Sequence, residues 1–500
     1  MSECCADVVV LGSGFAGSLA AMLLAKQGRS VCLMERGKHP RFAIGESSTP
    51  LADFKLQQIA GRYDLPQLAA LSRYGTWMER HPNVMRGAKR GFAYFFHRDG
   101  HAFHTDDRHA SELLVTANSS RQLADTHWLR SDVDALFVDQ AIGEGVNFID
   151  EASIVSSDSG LDLRLHCDRR GHAFTIRTRF LIVATGNPQL WSNTIATPAA
   201  GSVPRTNTRC LFAHFANVKP WRDVMHDLGF ATTDHPFDCD QSALHQVFDG
   251  GWMWQLRFDD QTTSAGFLID NHRHASGSQT SAHANWQHWM DRYPSIAHQF
   301  AKASVVRPES GLQQVERLQQ PLRQVVGSHW ALLPAAVGFS DPLFSTGIAH
   351  AIFSVEKLTD ALRELDHPAH LSEALAIYSQ RLSREIDLID RLVSLAYRAS
   401  CSFEQYVVAT MPYFAATTTC ERRSRDSQPA PGPAFLLADD PAFLSALQSI
   451  ETAHDRLRGK TCETDAGDFE NQVRHALKPF NQVGLFASTV PGMYRHTAAI

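Results

Sequence analysis

The sequence offers no framework for a metal or for disulfides. Its nine cysteines include no CxxC pair, and the one close pair, Cys4–Cys5, lacks the spacing of a zinc knuckle. No HExxH occurs, and the 25 histidines are scattered. His101 with His104, or His272 with His274, have chelating spacings, but without a Cys/His framework they read as solvated loops. No metal is expected. Positive charge is also short: 47 Lys and Arg stand against 53 Asp and Glu, a net charge of −6, with no basic tract and no internal repeat. Nucleic-acid binders carry a basic face, so that class is set aside. The first residues lack the basic region of a secretory signal. One uncharged run, 8–25, has the length of a membrane span. Gly12, Ser13, Gly14, Gly17 and Ser18 interrupt it directly behind Asp7, so no membrane association and a cytoplasmic protein are expected. What is left is an ordinary globular composition, 44% hydrophobic and 20% charged. Five hundred residues are a prior of about three domain-sized units.

The uncharged run reads as strand, turn and helix. Val8-Val9-Val10-Leu11 has the continuous apolar pattern of a parallel strand buried on both faces. Gly12-Ser13-Gly14-Phe15-Ala16-Gly17 is a GxGxxG. Its first glycine allows the tight turn, its second lets the backbone approach a pyrophosphate, and its third lets helix and strand pack closely. A helix from about Phe15 to Gln27 aims its N-terminal N–H groups at the phosphates, and Gly28 stops it. A second strand follows at Ser30 to Met34, and Glu35 ends it about 20 residues past the glycines, where an acid accepts ribose hydroxyls. The acid favours a ribose without a 2′-phosphate, so FAD or NAD rather than NADP.

Other segments bear on that choice. Phe180 to Gly186 is an apolar strand ending in Ala-Thr-Gly, which resembles the second nucleotide-contacting segment of two-dinucleotide flavoproteins. Arg130-Ser131-Asp132-Val133-Asp134 resembles the Arg-x-x-x-Asp helix start of flavoprotein monooxygenases, with a capped helix end and a surface ion pair as the plainer reading. His39-Pro40-Arg41-Phe42-Ala43-Ile44-Gly45-Glu46-Ser47 resembles a stretch of flavin-dependent halogenases, and three further segments follow in that family's order. These are Gly87-Ala88-Lys89-Arg90-Gly91-Phe92, then Trp252-Met253-Trp254-Gln255-Leu256-Arg257, then Asp341-Pro342-Leu343-Phe344-Ser345-Thr346-Gly347. The resemblance covers about 7–397, returns near 479–484, and is nearest to the phenol-type branch.

The resemblance implies an α/β, two-lobed, monooxygenase-like fold: a Rossmann-type FAD domain interleaved with a sheet-containing substrate domain, plus a C-terminal helical region. Residues 1–360 would hold the two lobes, with substrate parts at about 45–125 and 205–305. Residues 361–500 would be helical, with a linker near 427–433, and the tail beyond the linker would lid the substrate site. Within that region Leu375, Tyr378, Leu382, Ile386, Ile389, Val393 and Ala396 recur at helical spacing on one apolar face.

In that family FADH2 and O2 turn chloride or bromide into hypohalous acid, and a lysine passes the halogen to an electron-rich aromatic. The resemblance assigns the lysine to Lys89 and the halide to the backbone N–H groups of Thr346 and Gly347. A solvated lysine and a helix capped by Ser345 are the plainer readings. The cofactor falls to Gly12, Ser13, Gly14, Ala16, Gly17, Glu35, Glu46, Ser47, Arg130, Gly186 and Asp341. Trp252 and Trp254 would keep substrate off the flavin, with core packing equally expected. Phe344 stands where tryptophan halogenases carry a glutamate, so a phenol or similar ring is the expected substrate, free or bound to a carrier protein. His97, Asp99 and Glu46 are then the candidates to deprotonate it. A separate flavin reductase is the expected partner, since the sequence holds one GxGxxG. Two departures stand out: Leu256-Arg257 replaces the family's Ile-Pro, with a charge expected to narrow or repurpose the tunnel, and Pro334-Ala335 replaces a Gly-Asp of many flavoprotein monooxygenases. These departures keep a hydroxylating monooxygenase, or a flavin-binding protein without turnover, as alternatives.

Overall fold

The computed structural model describes residues 3–160, 162–186, 203–274, 281–426, 432–457 and 466–494. Its first sheet is built on the opening strand Glu3–Leu11, where Val8, Val9 and Val10 are fully buried, as a strand covered on both faces requires. Val31–Met34 and Asn147–Ile149 continue the sheet in parallel on one side. His172–Val183 pairs in parallel on the other side, and Trp330–Leu332 joins that strand in turn. Antiparallel strands Leu163–Arg169 and Ala152–Ser159 extend the sheet outward. The helices Phe15–Lys26 and Thr346–Ala361 pack together beside this sheet. The strand expected to end at Gly186 stops at Val183, and Gly186 is exposed just beyond it.

The second sheet has nine strands and collects segments from far apart. Gly91–Phe96 and Glu112–Thr116 lie beside Ala243–Phe248, Gly251–Arg257, Thr263–Asp270 and Thr208–Ala216. Alternation sorts its side chains. Phe92, Tyr94, Trp252 and Trp254 join the main core, whereas Ala93, Phe95 and Met253 lie in separate clusters on the far face. The substrate lobe runs past the expected 305, because Gln313–Val315 also pairs with Thr208–Ala216.

The C-terminal region begins with a 32-residue helix, Pro368–Ala399, and each residue of its expected apolar face is buried. The next helix, Phe403–Asp426, buries Tyr406, Tyr413 and Phe414 against the aromatic face of the second sheet. The region is not helical throughout: Met493–Tyr494 forms an edge strand parallel to Glu112–Thr116, so the tail belongs partly to the substrate lobe. Most of the expected linker, 427–431, lies outside the described residues. Among the described residues no helix is long and apolar enough to cross a membrane.

Candidate active site and dinucleotide cradle

The glycine turn takes its shape from close backbone approaches. Gly12 has φ +101°, a left-handed conformation that favours glycine, and a Cβ there would stand 3.0 Å from the Ala184 backbone. A Cβ on Gly17 would lie 1.9 Å from the Gly12 carbonyl oxygen, so this is the position where helix meets strand. At Gly14 a Cβ would meet two guanidinium groups, Arg130 at 3.3 Å and Arg41 at 3.6 Å. Ala16 sits in the first turn of the helix.

Charge gathers around this turn. Arg130 makes two bonds to Asp134, at 2.9 and 3.0 Å, and also donates to the carbonyl of Ile44 at 2.9 Å. The Asp134 carboxylate accepts the Phe15 N–H at 3.0 Å and so caps the helix Phe15–Lys26. The ion pair expected at Arg130 is thus present, and it borders the cradle. Glu35 accepts from Ser13 N and Oγ at 3.1 and 3.0 Å and from Gly37 N at 3.0 Å. Burial pushes the Glu35 carboxyl up, but the Arg41 guanidinium and the Gly37 and Ser13 donors outweigh it and hold the group below the usual range. Three nearby polar atoms lack a partner: His39 Nδ1, Arg41 Nε and Ser47 Oγ. Unused donors, an open glycine turn and a helix N-terminus fit the diphosphate and ribose of a dinucleotide.

Lys89 is fully buried. It ends the strand Arg86–Lys89, paired antiparallel with Asp125–Trp128, and Lys89 stands directly opposite Asp125. The segment through Glu46 and Ser48 lines up on that second strand: Trp128 N donates to Glu46 O at 2.7 Å and Ser48 N to Thr126 O at 3.0 Å. This brings the Ser48 carbonyl to Lys89, which donates to it at 2.5 Å. The ammonium lies 4.2 Å from the centre of the Phe92 ring. Burial pulls Lys89 down to about 8, although Asp125 and Asp53 act the other way.

The Ser345–Gly347 turn, to which the resemblance assigns the halide, lies across an aromatic wall. Ser345 is left-handed, φ 53° and ψ 32°, and makes no side-chain cap, so the capping role expected of it is absent. The helix starts at Thr346 with Gly347 second, and a Cβ on Gly347 would meet nothing within 4 Å. Phe344 stacks on Tyr413 at 4.4 Å, and Tyr94 stacks on His245 at 4.4 Å. His245 Nε2 lies 3.1 Å from the Leu343 carbonyl oxygen. Trp252 packs on His245 at 4.9 Å and donates to Tyr397 Oη at 2.9 Å, and that hydroxyl donates to Asp341 at 3.0 Å. Trp254 donates to Ser264 at 3.1 Å. Asp341 also accepts from Thr208 Oγ1 at 3.2 Å and Leu343 N at 3.1 Å, and burial pushes its carboxyl up to about 7. Its Oδ1 serves the turn, and its Oδ2 accepts from Tyr397 and Thr208. A cavity of about 450 Å³ opens behind it, lined by Thr208, Tyr397, Arg205, Arg273 and Gln405, but not by Lys89.

The three expected deprotonating groups are engaged elsewhere. His97 is buried against Gln246 at 2.7 Å, and burial pushes it down to about 4. Asp99 is an exposed partner of Arg292 at 2.9 Å. Glu46 points its carboxyl at His214, 3.0 Å away. The Arg257 guanidinium bonds Gln261 and the Val218 carbonyl at the strand's outer end. Pro334 opens a short buried helix, Pro334–Val337. Sequence reasoning missed Asp53, Asp125, His245 and Tyr397. Among the described residues, His109 and His235 gather on the buried carboxylate of Glu112, at 3.1 and 2.7 Å.

A family model for FAD-dependent oxidoreductases matches residues 7–147, and one for tryptophan halogenases matches 217–407. Monodechloroaminopyrrolnitrin halogenase of Pseudomonas fluorescens is 29% identical over 79% of this chain and 68% of its own length. Tetracycline 7-halogenase of Kitasatospora aureofaciens is 27% identical over 80% and 70%. Halogenase PltM, solved with phloroglucinol and FAD, shares the fold with a TM-score of 0.85 at 23% identity, over 98% of this chain and 99% of that one.

Proposed function

The chain belongs to the flavin-dependent halogenase family, and from that premise we propose that it installs chlorine or bromine on a phenolic or similarly electron-rich ring, free or carrier-bound, through Lys89. The observation that carries this reading is Lys89 itself: a fully buried ammonium, tethered to a backbone carbonyl and set over an aromatic ring, beyond the wall that bounds the halide turn.

FAD, delivered reduced by a separate reductase, supplies the oxidation of halide by O2 to hypohalous acid. The chain's own groups do the rest. The Gly12–Gly17 turn, Arg41 and Arg130 hold the diphosphate, Glu35 the ribose, and the N–H groups of Thr346 and Gly347 the halide. The wall of Phe92, Tyr94, His245, Trp252 and Tyr413 keeps the ring away from the flavin and water away from the oxidant. Lys89 donates to the oxygen of the hypohalous acid. The ring takes the halogen, the oxygen–halogen bond breaks, and the oxygen leaves as water with one proton from Lys89. The ring hydrogen leaves as a proton and restores the ammonium.

Lys89→Met keeps the length of the side chain and removes its charge. It is expected to lower halogenated product by ~10²–10³ while FADH2 oxidation continues. The assay supplies FAD, a flavin reductase, NADH and bromide to both proteins, with a panel of phenols and tryptophan. Equal bromination by both proteins would sink the role of Lys89. Hydroxylated product that persists without halide would make the protein a hydroxylase, and tryptophan turnover matching the best phenol would overturn the substrate class.

A further inference from the structure

Lys89 does not stand alone in its pocket. Asp125, directly opposite it across the two-stranded ladder, shares its face. Asp53 arrives from the helix Pro50–Tyr63, and Ser48 Oγ donates to its Oδ1 at 2.5 Å. Both carboxyl groups are buried, Asp53 at 2% exposure and Asp125 at 0%. Read as two carboxylates they are badly served: Asp53 Oδ2 and both oxygens of Asp125 lack a hydrogen-bond donor. Two buried anions in contact are also mutually repulsive. A single proton between Asp53 Oδ2 and Asp125 removes the repulsion and gives each carboxyl a hydrogen-bond partner in the other.

We propose, building on the halogenase reading, that Asp53 and Asp125 share one proton and act as a positioning pair that holds Lys89 in its ammonium form. The pair then carries one negative charge against one positive charge, and the buried cluster is neutral. Asp53 carries the proton on Oδ2, and Asp125, directly opposite Lys89 in the ladder, is the partner that the ammonium keeps ionised. The electrostatics point the same way. Burial raises Asp53 well above the usual range and Asp125 with it, while the Lys89 charge pulls Asp125 back.

The other groups around the cluster add little negative charge. His127, on the strand of Asp125, and His245, on Ala243–Phe248, are each pushed by burial to about 3 and are neutral. Tyr413, on Phe403–Asp426, is raised by burial and keeps its proton. Arg73 is the remaining cation, bonded to Asn118 Oδ1 at 3.1 Å and the Leu123 carbonyl at 2.9 Å. Asp125 is therefore the charge on which the Lys89 ammonium depends.

The first test compares product-against-pH profiles, with FADH2 oxidation followed in parallel. Asp125→Asn removes the counter-charge and is expected to move the basic limb of bromination down by about one pH unit or more, leaving flavin oxidation in place. Asp53→Asn fixes the proton-carrying role as an amide, so its basic limb is expected at or above the wild-type position. Both variants meet the same oxidant, so its own titration cancels. Equal downward shifts in both, or no shift in Asp125→Asn, would overturn the proposal. The second test needs neither variant to turn over. Infrared spectroscopy of wild type labelled with 13C-aspartate is expected to show a protonated carboxyl that persists well above the values of Asp341, about 7, and Asp240, about 6. Its absence there would overturn the proposal even if wild type halogenates, and its presence would support the pair even if the halogenase reading failed.

Discussion

The dinucleotide cradle and the chamber around Lys89 use charge in opposite ways. In the cradle Glu35, Arg41, Arg130 and Asp134 pair by opposite sign, with Arg41 29% exposed and Asp134 buried, so each charge has a partner and two cations border the glycine turn. In the chamber Lys89, Asp53 and Asp125 are sealed from water, and ionising any one of them depends on the others. Change in a side chain of the cradle should alter how tightly a charged ligand is held and leave the protonation of the chamber as it was. The chamber is built to fix a proton count.

The sharpest way to break the cradle is through its backbone. Gly17→Ala would put a methyl group 1.9 Å from the Gly12 carbonyl oxygen, which is main chain and cannot swing aside. Overpacking of this kind costs about 1–3 kcal/mol even where neighbours yield. Loss of retained FAD and a lowered Tm are the expected outcomes, read by the flavin absorbance of the purified protein and a melting curve. Full flavin retention would show that the helix slides along the strand, and the close approach would not be what shapes the site.

A milder change separates the two regions. Arg41→Ala removes a cation 3.4 Å from Glu35 and beside Gly14. A hydrogen bond to a charged group is worth about 1.5–3 kcal/mol, so the Kd for FAD should rise roughly 10- to 100-fold, with a weaker salt dependence. Fluorescence titration of FAD at two ionic strengths measures both. With saturating FAD, the basic limb of bromination should stay where wild type has it. A shift would mean that the cradle and the chamber are electrostatically one site.

The same contrast decides what was legible in the sequence. The cradle is local: Gly12, Gly14, Gly17 and Glu35 lie within 24 residues and follow from the backbone geometry of two strands, one turn and one helix. The long helix Pro368–Ala399 was equally legible, because its apolar period survives folding unchanged. The chamber is assembled from a strand ending at Lys89, a helix carrying Asp53, a second strand carrying Asp125 and a third carrying His245. No spacing in the chain announces that Asp53 and Asp125 meet, since their contact depends on how the Ser48 segment lies along Asp125–Trp128. Lys89 was found by resemblance and not by its surroundings. The deprotonating candidates failed for the complementary reason: His97, Asp99 and Glu46 are near Lys89 or the glycines in sequence, yet each is drawn to a partner on another element. Met493–Tyr494 carries too few residues for a strand pattern, and its pairing is imposed by the sheet it joins.

Asp341 lies where the two regions meet, and it gives the smallest and most selective test. It precedes the halide turn, accepts from Leu343 N, and ends the hydrogen-bonded line from Trp252 through Tyr397. Burial moves its carboxyl from the ordinary 3.8 to about 7. A carboxyl raised on folding binds more protons folded than unfolded across that window, so stability falls as pH rises from about 4 to about 7. The contribution is fully present below the unfolded value and lost by the folded one. Asp341→Asn keeps an acceptor for Leu343 N and removes the titration. Its melting temperature should therefore fall less steeply than that of wild type over this window, by a few degrees at most across a chain of this size. Asp240, raised by burial to about 6, titrates in the same range in both proteins, so the difference between the two curves isolates Asp341. Parallel curves would mean that Asp341 stays ionised throughout, held by Tyr397, Thr208 and Leu343 as a turn-forming anion, and the boundary between the two regions would then lie on the chamber side of the Trp252–Tyr397 bond.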